Sequence, residues 1–240
     1  MTHEIDATVT RLGQTQKRIA EMESRYGRTS SSVTLLAVSK AKPAEAVREA
    51  FGAGQRCFGE SYAQEAQVKI AALAEPAIEW HFIGPLQSNK TALVAANFSW
   101  VHSVDRARIA ERLSRQRPAG LAPLNVCIQV NISGEKAKQG VVPEQTAHLA
   151  QIITGLPGLK LRGLMAIPAP CAELAAQRVP FRRLRELYAD IRGTGISLDT
   201  LSMGMTGDLE AAIAEGATIV RLGTAIFGPR PARSAGQLPE

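Results

Sequence analysis

Apolar residues are concentrated in short runs, and the first clear run covers residues 33–38. Only Thr34 interrupts it, which is typical of a strand buried on both faces of a parallel sheet. The run stops at Ser39 and Lys40. Pro43 suits the first position of a helix, because the N–H that it lacks is not needed there. The pattern therefore predicts a buried strand, a loop that carries Lys40, and a helix.

The same unit of strand, loop and helix recurs along the chain. Eight strands that alternate with helices, without a break in composition, favour a single-domain α/β fold, a closed parallel (β/α)8 TIM barrel. A doubly wound sheet is the alternative, but no GxGxxG motif follows the first strand. The predicted strands cover residues 33–38, 56–59, 79–84, 100–104, 125–132, 159–167, 198–203 and 218–222.

Apolar residues at steps of three, four and seven predict an amphipathic helix over residues 4–26, which we expect to cover one end of the core. The expected organisation is an N-terminal helix within residues 1–30 that packs on the barrel, a barrel over residues 31–230, and a polar tail over residues 231–240. Helix and barrel form one domain in this interpretation.

The composition changes this picture little: of 240 residues, 45% are hydrophobic and 21% are charged. No run approaches the roughly 18 apolar residues of a membrane span, and the charged N-terminus lacks a signal core. Cys57, Cys127 and Cys171 are odd in number and widely spaced, without a CxxC motif. We therefore expect a cytoplasmic protein with neither a disulfide framework nor a zinc site.

The chain is basic, with a formal net charge of +6 and a pI near 9.5. Its basic residues are dispersed and interleaved with acidic ones, which indicates solvated helix faces rather than a track for nucleic acid. We expect no nucleic-acid partner. The modest positive field would still attract small anionic ligands.

Lys40 is the first candidate for chemistry. An ammonium at the end of a buried strand is partly desolvated, which lowers its pKa and leaves an amine that can attack a carbonyl. The alternative is a lysine that extends its charged end into solvent and has no chemical role.

Two loops predict an anion site beside this lysine. In TIM barrels the site lies at the carboxyl ends of the strands, and the loops after strands seven and eight often hold phosphate. Here those loops are residues 202–208 and 221–224, which carry glycines and hydroxyls. A helix N-cap would explain Thr206 or Asp208 equally well. Together, the two loops favour a cradle for one phosphate.

A phosphate cradle, an amine nucleophile and no metal cluster suggest pyridoxal 5'-phosphate (PLP) as cofactor. The segments AVSKAKP, FGESYAQE, WHFIGPLQSNK, NISGEKAKQG, GLMAIP, LSMGMTGDLEAAI and VRLGTAIFG, in this order, resemble the YggS/PROSC family of pyridoxal phosphate homeostasis proteins. The resemblance implies a barrel like the N-terminal domain of alanine racemase, with PLP held as a Schiff base on Lys40.

The resemblance also implies the cofactor's other contacts. Arg221 would face the pyridine nitrogen, where a permanent cation disfavours protonation and weakens the ring as an electron sink. The phosphate would be bound by two loops, through Ser202, Gly204, Thr206, Gly223 and Thr224, and Met205 would be a further contact to the cofactor.

The chain departs from the family pattern at two positions. Ser61 replaces an asparagine, which puts an amide contact to the cofactor in doubt, and Thr206 replaces a serine but keeps the hydroxyl. His81, Asn89 and Lys90 lie near the barrel mouth in the family pattern, although His81 could equally be a hydrogen-bonded core histidine. Lys136 and Lys138 resemble a second basic site, for which a solvated loop is the simpler interpretation.

The resemblance implies an intracellular PLP carrier, a monomer that buffers the cofactor and delivers it to PLP-dependent apoenzymes without robust amino-acid turnover. A fold-type III enzyme such as an amino-acid racemase is the first alternative, but it would need an acid/base residue from a second domain. No tyrosine lies in a loop that would place it over the cofactor; Tyr26, Tyr62 and Tyr188 fall in predicted helices. A Schiff-base aldolase and a nucleic-acid-binding protein are the remaining alternatives.

Overall fold

The computed structural model describes residues 2–135 and 138–229, with side chains from Ala7 onward. Eight parallel strands pair in chain order, and the last pairs with the first, so the sheet closes into a barrel. This confirms the predicted (β/α)8 fold and excludes the doubly wound sheet. The strands are β1 (Thr34–Val38), β2 (Cys57–Glu60), β3 (Glu79–Phe82), β4 (Trp100–Val104), β5 (Leu124–Gln129), β6 (Leu159–Met165), β7 (Thr200–Ser202) and β8 (Ile219–Leu222).

Helices surround the barrel, and the N-terminal one has an unexpected place. The helix after β8 has only four residues, and the N-terminal helix packs beside it and against the helices that follow β1 and β7. It therefore completes the layer of helices around the barrel and, contrary to our expectation from the sequence, does not cover an end of the core. Its buried residues Leu12, Ile19 and Met22 lie along one face, which packs against these neighbouring helices. The helices are α1 (Thr2–Arg25), α2 (Ala44–Gly52), α3 (Ala63–Leu73), α4 (Thr91–Asn97), α5 (Ala107–Gln116), α6 (Pro143–Thr154), α7 (Leu174–Gly193), α8 (Leu209–Ala214) and α9 (Thr224–Phe227).

The strands are buried on both faces, as their sequences predict. In β1, Leu35 and Ala37 belong to the large core between sheet and helices, whereas Leu36 belongs to a smaller cluster with Trp100 and Cys127. This alternation follows from the period of two along a strand. The barrel interior is therefore packed, and it closes the site from below.

Most strands are shorter than predicted, and β3, β5, β6 and β7 lose two or three residues each. β5 ends at Gln129, and the following turn brings Val141 beside Val130 in an isolated parallel bridge, in which the Val141 N–H donates to the Gln129 carbonyl at 2.9 Å. The apolar run continues into this turn because Val130 and Ile132 are buried in it. β7 has three residues instead of six. No helix within the described ranges has both the length and the hydropathy of a membrane span. The predicted tail lies outside the described residues.

Candidate functional site

A cavity of about 290 Å³ opens at the carboxyl ends of the strands, where barrels of this class carry their sites. Residues at or after the carboxyl ends of β1, β2, β3, β6, β7 and β8 contribute to it. They are Val38, Lys40, Lys42, Ser61, Ile83, Ile167, Met205, Thr206, Gly207, Arg221, Gly223, Thr224 and Gly228.

Lys40 reaches this cavity from the loop after β1, as predicted, and the loop is held at two points. The Ala41 N–H donates to Glu65 Oε1 at 2.7 Å, and the Lys42 N–H donates to the Ser39 carbonyl at 3.0 Å. Ala41 has a φ of +59°, a conformation that a non-glycine residue adopts at a cost. These contacts stabilise one conformation of the short segment that carries Lys40.

A buried ion cluster lies under the loop, and sequence reasoning missed it. Lys69 Nζ donates to Glu60 Oε1 at 2.8 Å, to Glu65 Oε1 at 2.6 Å and to the Ser39 carbonyl at 2.8 Å. Burial raises the pKa of Glu60, and the neighbouring Lys69 ammonium offsets part of that effect. The sequence did contain one sign of this cluster. In α3, Lys69 lies on the same buried face as Ala63 and Ala66, and a lysine on an apolar face needs an acidic partner.

Sequence reasoning also missed the second lysine of the cavity. Lys42 Nζ donates to the carbonyls of Phe227 at 2.8 Å and Pro229 at 2.7 Å. Its ammonium therefore connects the β1 loop to the segment after α9. Lys40 and Lys42 line the same cavity, which makes them a natural pair for mutagenesis.

The two loops predicted to hold phosphate do meet at the cavity. Met205 and Thr206 after β7, and Gly223 and Thr224 after β8, line it together. Gly223 has a steric role, because a Cβ atom there would lie 2.9 Å from the Val38 carbonyl oxygen. The structure thus brings Lys40 and both loops around one space.

Ser202 and Gly204 lie below that space rather than on its wall. Gly204 has a φ of +98°, and a Cβ atom there would lie 2.5 Å from Ala212 Cβ, so the turn requires glycine. Its carbonyl accepts the Arg221 N–H at 2.9 Å. Asp208 Oδ1 accepts the Met205 N–H at 2.5 Å, which ties the loop back to the start of α8.

Arg221 is a buried cation that lines the cavity. Its Nη1 donates to the Ser202 carbonyl at 2.6 Å and to Ser202 Oγ at 2.8 Å, and its Nη2 donates to the Ala166 carbonyl at 2.9 Å. Burial lowers the pKa of Arg221 to about 10, which still leaves it charged at neutral pH. Three hydrogen bonds therefore fix a guanidinium beside Lys40 and the loops.

A chain of polar side chains crosses the barrel interior beneath Arg221. Glu79 Oε1 lies 2.8 Å from His81 Nε2, His81 Nδ1 lies 2.9 Å from His102 Nε2, and His102 Nδ1 lies 2.7 Å from Ser202 Oγ. We call this chain, completed by Arg221, the polar relay. It begins at the amino end of β3 and ends at the cavity.

The relay has one consistent direction of donation. The hydrogen bond from His81 lowers the pKa of Glu79, and burial lowers the pKa values of both histidines, that of His102 well below its ordinary value. An ionised Glu79 can only accept, so His81 carries its proton on Nε2 and accepts at Nδ1. His102 must then donate from Nε2 and accept at Nδ1 from the Ser202 hydroxyl, which in turn accepts from Arg221.

The remaining predicted site residues divide in two. Ser61 lines the cavity, whereas His81 lies in the barrel interior as a hydrogen-bonded histidine of the relay. Asn89 and Lys90 lie in a 3-10 turn, Ser88–Lys90, outside the described lining of the cavity. Lys138 Nζ lies 2.8 Å from Glu135 Oε1, and Lys136 is outside the described residues.

Comparison with known proteins agrees with this architecture. Residues 10–231 match the model of the alanine racemase N-terminal domain. The chain is 62% identical over 213 residues to the pyridoxal phosphate homeostasis protein of Pseudomonas aeruginosa, covering 89% of this chain and 91% of that one. The protein of the same name from Escherichia coli K12 is 52% identical over 222 residues, covering 91% and 95%.

A solved structure shows the same fold. PipY of Synechococcus elongatus, solved with PLP bound, superimposes with a TM-score of 0.77 at 38% identity, covering 88% of this chain and all of that one. The domain match extends over most of the chain, and the two bacterial relatives are more than half identical to it. The chain therefore belongs to the family of pyridoxal phosphate homeostasis proteins, built on the alanine racemase N-terminal domain fold.

Proposed function

We propose that this chain binds PLP through a Schiff base on Lys40 and acts in PLP homeostasis, buffering the cofactor and delivering it to apoenzymes. The observation that carries the proposal is the convergence of Lys40, Arg221 and two hydroxyl-bearing loops on one cavity of about 290 Å³. The relative PipY, solved with PLP bound, supports the choice of ligand.

The cavity walls fit such a cofactor. Thr206 and Thr224 offer hydroxyl donors from two neighbouring loops, and Gly223 leaves the backbone accessible where a side chain would collide with β1. We propose that these residues, with Met205, bind the phosphate. Ser202 and Gly204 act from below, Ser202 by orienting Arg221 and Gly204 by shaping the turn.

The bound cofactor would supply an aldehyde, and residues of this chain would attach it and control the protonation of its ring. Lys40 Nζ would attack the aldehyde carbon and, with loss of water, form a carbon–nitrogen double bond. Arg221, held on Ser202 and Ala166, would face the pyridine nitrogen and keep it unprotonated, because two adjacent cations repel. A ring without that proton is a poor electron sink.

Amino-acid turnover also needs an acid/base group over the cofactor, and the tyrosines do not supply one. Tyr26 donates to Glu210 Oε1 at 2.9 Å and Tyr188 donates to the Leu198 carbonyl at 2.8 Å, both in the helical layer. Tyr62 precedes α3 rather than lying in it, is exposed, and lies outside the described lining of the cavity. We therefore propose a non-catalytic carrier.

We further propose that the protein works as a monomer in a reducing cytoplasm. Cys57, Cys127 and Cys171 are all free, which fits such a compartment. Its partners would be PLP and the PLP-dependent apoenzymes that receive it.

Borohydride trapping tests the assignment of Lys40. The protein incubated with PLP should gain an absorbance band near the visible edge, and reduction should place the cofactor's mass on the peptide that contains Lys40. Lys40→Ala should lose both signals. Lys42→Ala is the matched control, since Lys42 lines the same cavity, and it should keep them; label on Lys42 in the wild type would overturn the assignment.

A chirality assay tests the carrier role. L-Alanine incubated with the PLP-loaded protein should keep its configuration. Sustained racemisation at ordinary enzymatic rates would overturn the carrier role and establish the racemase alternative instead.

A further inference from the structure

Three metal-binding side chains meet at the amino end of the barrel, opposite the cofactor cavity. Cys57 and Glu79 begin β2 and β3 and are Cα partners in the parallel ladder, and His81 lies two residues along β3 on the same face as Glu79. Cys57 Sγ lies 3.7 Å from Glu79 Oε1, and His81 Nε2 lies 2.8 Å from the same oxygen. The three donor atoms all lie within 4.8 Å of one another.

We propose that Cys57, Glu79 and His81 form a site for one divalent cation of the zinc type, with a fourth position open to solvent. Thiolate, imidazole and carboxylate are the zinc ligands of proteins, and three of them with one open position is a common arrangement. Tetrahedral zinc places ligand atoms about 3.2–3.8 Å apart. The distance from Cys57 Sγ to Glu79 Oε1 already lies in this range, whereas Glu79 Oε1 and His81 Nε2 need to move apart by about half an ångström.

The charges and the access to solvent favour this cation. A thiolate and a carboxylate together neutralise a 2+ charge. The nearby Arg162 guanidinium, which the Glu79 carboxylate attracts, is already paired with Asp199 at 2.7 Å, so its charge is balanced without Glu79. The Glu79 side chain is 45% exposed, which leaves a path from solvent. Burial raises the pKa of Cys57 to about 12 without a metal; a cation would displace that proton to solvent as the metal–sulfur bond forms.

Two neighbours support the site from outside. A metal-bound histidine normally donates its second N–H to a fixed acceptor, and His81 Nδ1 already lies 2.9 Å from His102 Nε2. Trp100 Nε1 is a buried donor close enough to the Glu79 carboxylate to lower its pKa, and it has no other hydrogen-bond partner among the described residues. An N–H in this place can serve a metal-bound carboxylate or water.

Metal binding would also reverse the polar relay. With the cation on His81 Nε2, the proton of His81 must lie on Nδ1 and be donated to His102 Nε2. His102 then carries its own proton on Nδ1 and donates to Ser202 Oγ. Occupancy at one end of the barrel would thus change a hydrogen bond that adjoins Arg221 at the other.

Cobalt and zinc titrations of the chelator-treated full chain test the proposal. One equivalent of Co²⁺ should produce a thiolate-to-cobalt charge-transfer band, and Zn²⁺ should displace it. Cys57→Ser should abolish the band and weaken Zn²⁺ binding by about 100-fold or more, since even supporting residues outside a metal's ligand set cost about 10–100-fold. Cys171→Ser, at an exposed cysteine, is the matched control and should change neither.

Two further measurements keep the test decisive if Cys57→Ser folds poorly. Glu79→Gln should also weaken Zn²⁺ binding, and histidine ¹⁵N spectra should show His81 and His102 exchanging tautomers when Zn²⁺ is added. Lys40→Ala should bind Zn²⁺ as the wild type does, so failure of the PLP proposal would not affect this one. Unchanged Zn²⁺ affinity in both Cys57→Ser and Glu79→Gln, or a cobalt spectrum without a thiolate band, would overturn the site.

Discussion

His81 Nδ1 and His102 Nε2 lie 2.9 Å apart inside the barrel, and their hydrogen bond connects Glu79 at one end to Ser202 and Arg221 at the other. Both imidazoles are buried. Each has a defined tautomer only because its neighbours in the relay have one. The barrel interior therefore contains an ordered chain of hydrogen-bonded polar side chains in addition to its apolar core.

Removing the middle of this chain should be costly. His102→Ala leaves His81 Nδ1 and the Ser202 hydroxyl buried without their partner, and each such loss costs about 1–3 kcal/mol. We expect the free energy of unfolding in urea to fall by about 2–5 kcal/mol. His148→Ala, on an exposed position of α6, should change it by less than about 0.5 kcal/mol. Equal effects of the two substitutions would contradict the relay.

The same histidines predict a loss of stability in mild acid. Burial lowers the pKa values of both in the folded state, so below about pH 6.5 the unfolded chain binds protons that the native protein does not. Stability from these groups is complete above that pH and is lost as the pH falls toward the folded pKa values. The free energy of unfolding should fall by up to about 2.7 kcal/mol per pH unit, since two groups contribute.

Urea unfolding between about pH 5 and pH 7 measures this slope. His102→Asn removes one of the two histidines and should show about half of this slope, whatever its absolute stability. A stability that stays level across this range would contradict neutral, buried histidines.

Gly223 should be the less replaceable of two cavity glycines. In Gly223→Ala, the new methyl group lies 2.9 Å from the Val38 carbonyl and must separate β1 from β8, at a cost of about 1–3 kcal/mol. The distortion should also weaken PLP binding, measured by fluorescence titration. Gly207→Ala lines the same cavity but has open space, and its stability should stay within about 0.5 kcal/mol of the wild type.

The cluster under the β1 loop predicts strong coupling between Lys69 and Glu60. Lys69→Met alone leaves a buried carboxylate without its cation, which costs about 3–5 kcal/mol. The double variant with Glu60→Gln should recover part of that loss, and a double-mutant cycle in urea measures the coupling. Lys160→Met, at an exposed position of β6, serves as the control. Additive effects of the two substitutions would contradict the ion pair.

The sequence was sufficient for the barrel and for several residues on its rim, although not for Lys42. An apolar run that ends at Lys40 and hydroxyl-bearing loops after β7 and β8 are local patterns. Parallel strands then necessarily bring their carboxyl ends to one edge of the sheet. For this reason Lys40, Thr206 and Thr224 could be placed together without any knowledge of how the strands pair.

The relay and the ion cluster could not be found in the same way. His102 and Ser202 are 100 residues apart, and their contact depends on the stagger of strands around the barrel, which no local pattern encodes. The resemblance implies a phosphate contact for Ser202, which is the first residue of the predicted loop 202–208. As the last residue of β7, however, it directs its hydroxyl into the interior.

The helix that fills the gap beside α9 has a consequence for biosynthesis. Arg11 Nε donates to the Ile226 carbonyl at 2.7 Å across 215 residues, so α1 can complete its packing only after a segment 215 residues later in the chain has been synthesised. Until then, the apolar face of α1 lacks part of its packing surface, and the barrel lacks its last strand, β8. Chaperones that shield apolar surface would therefore matter most until α9 has been synthesised.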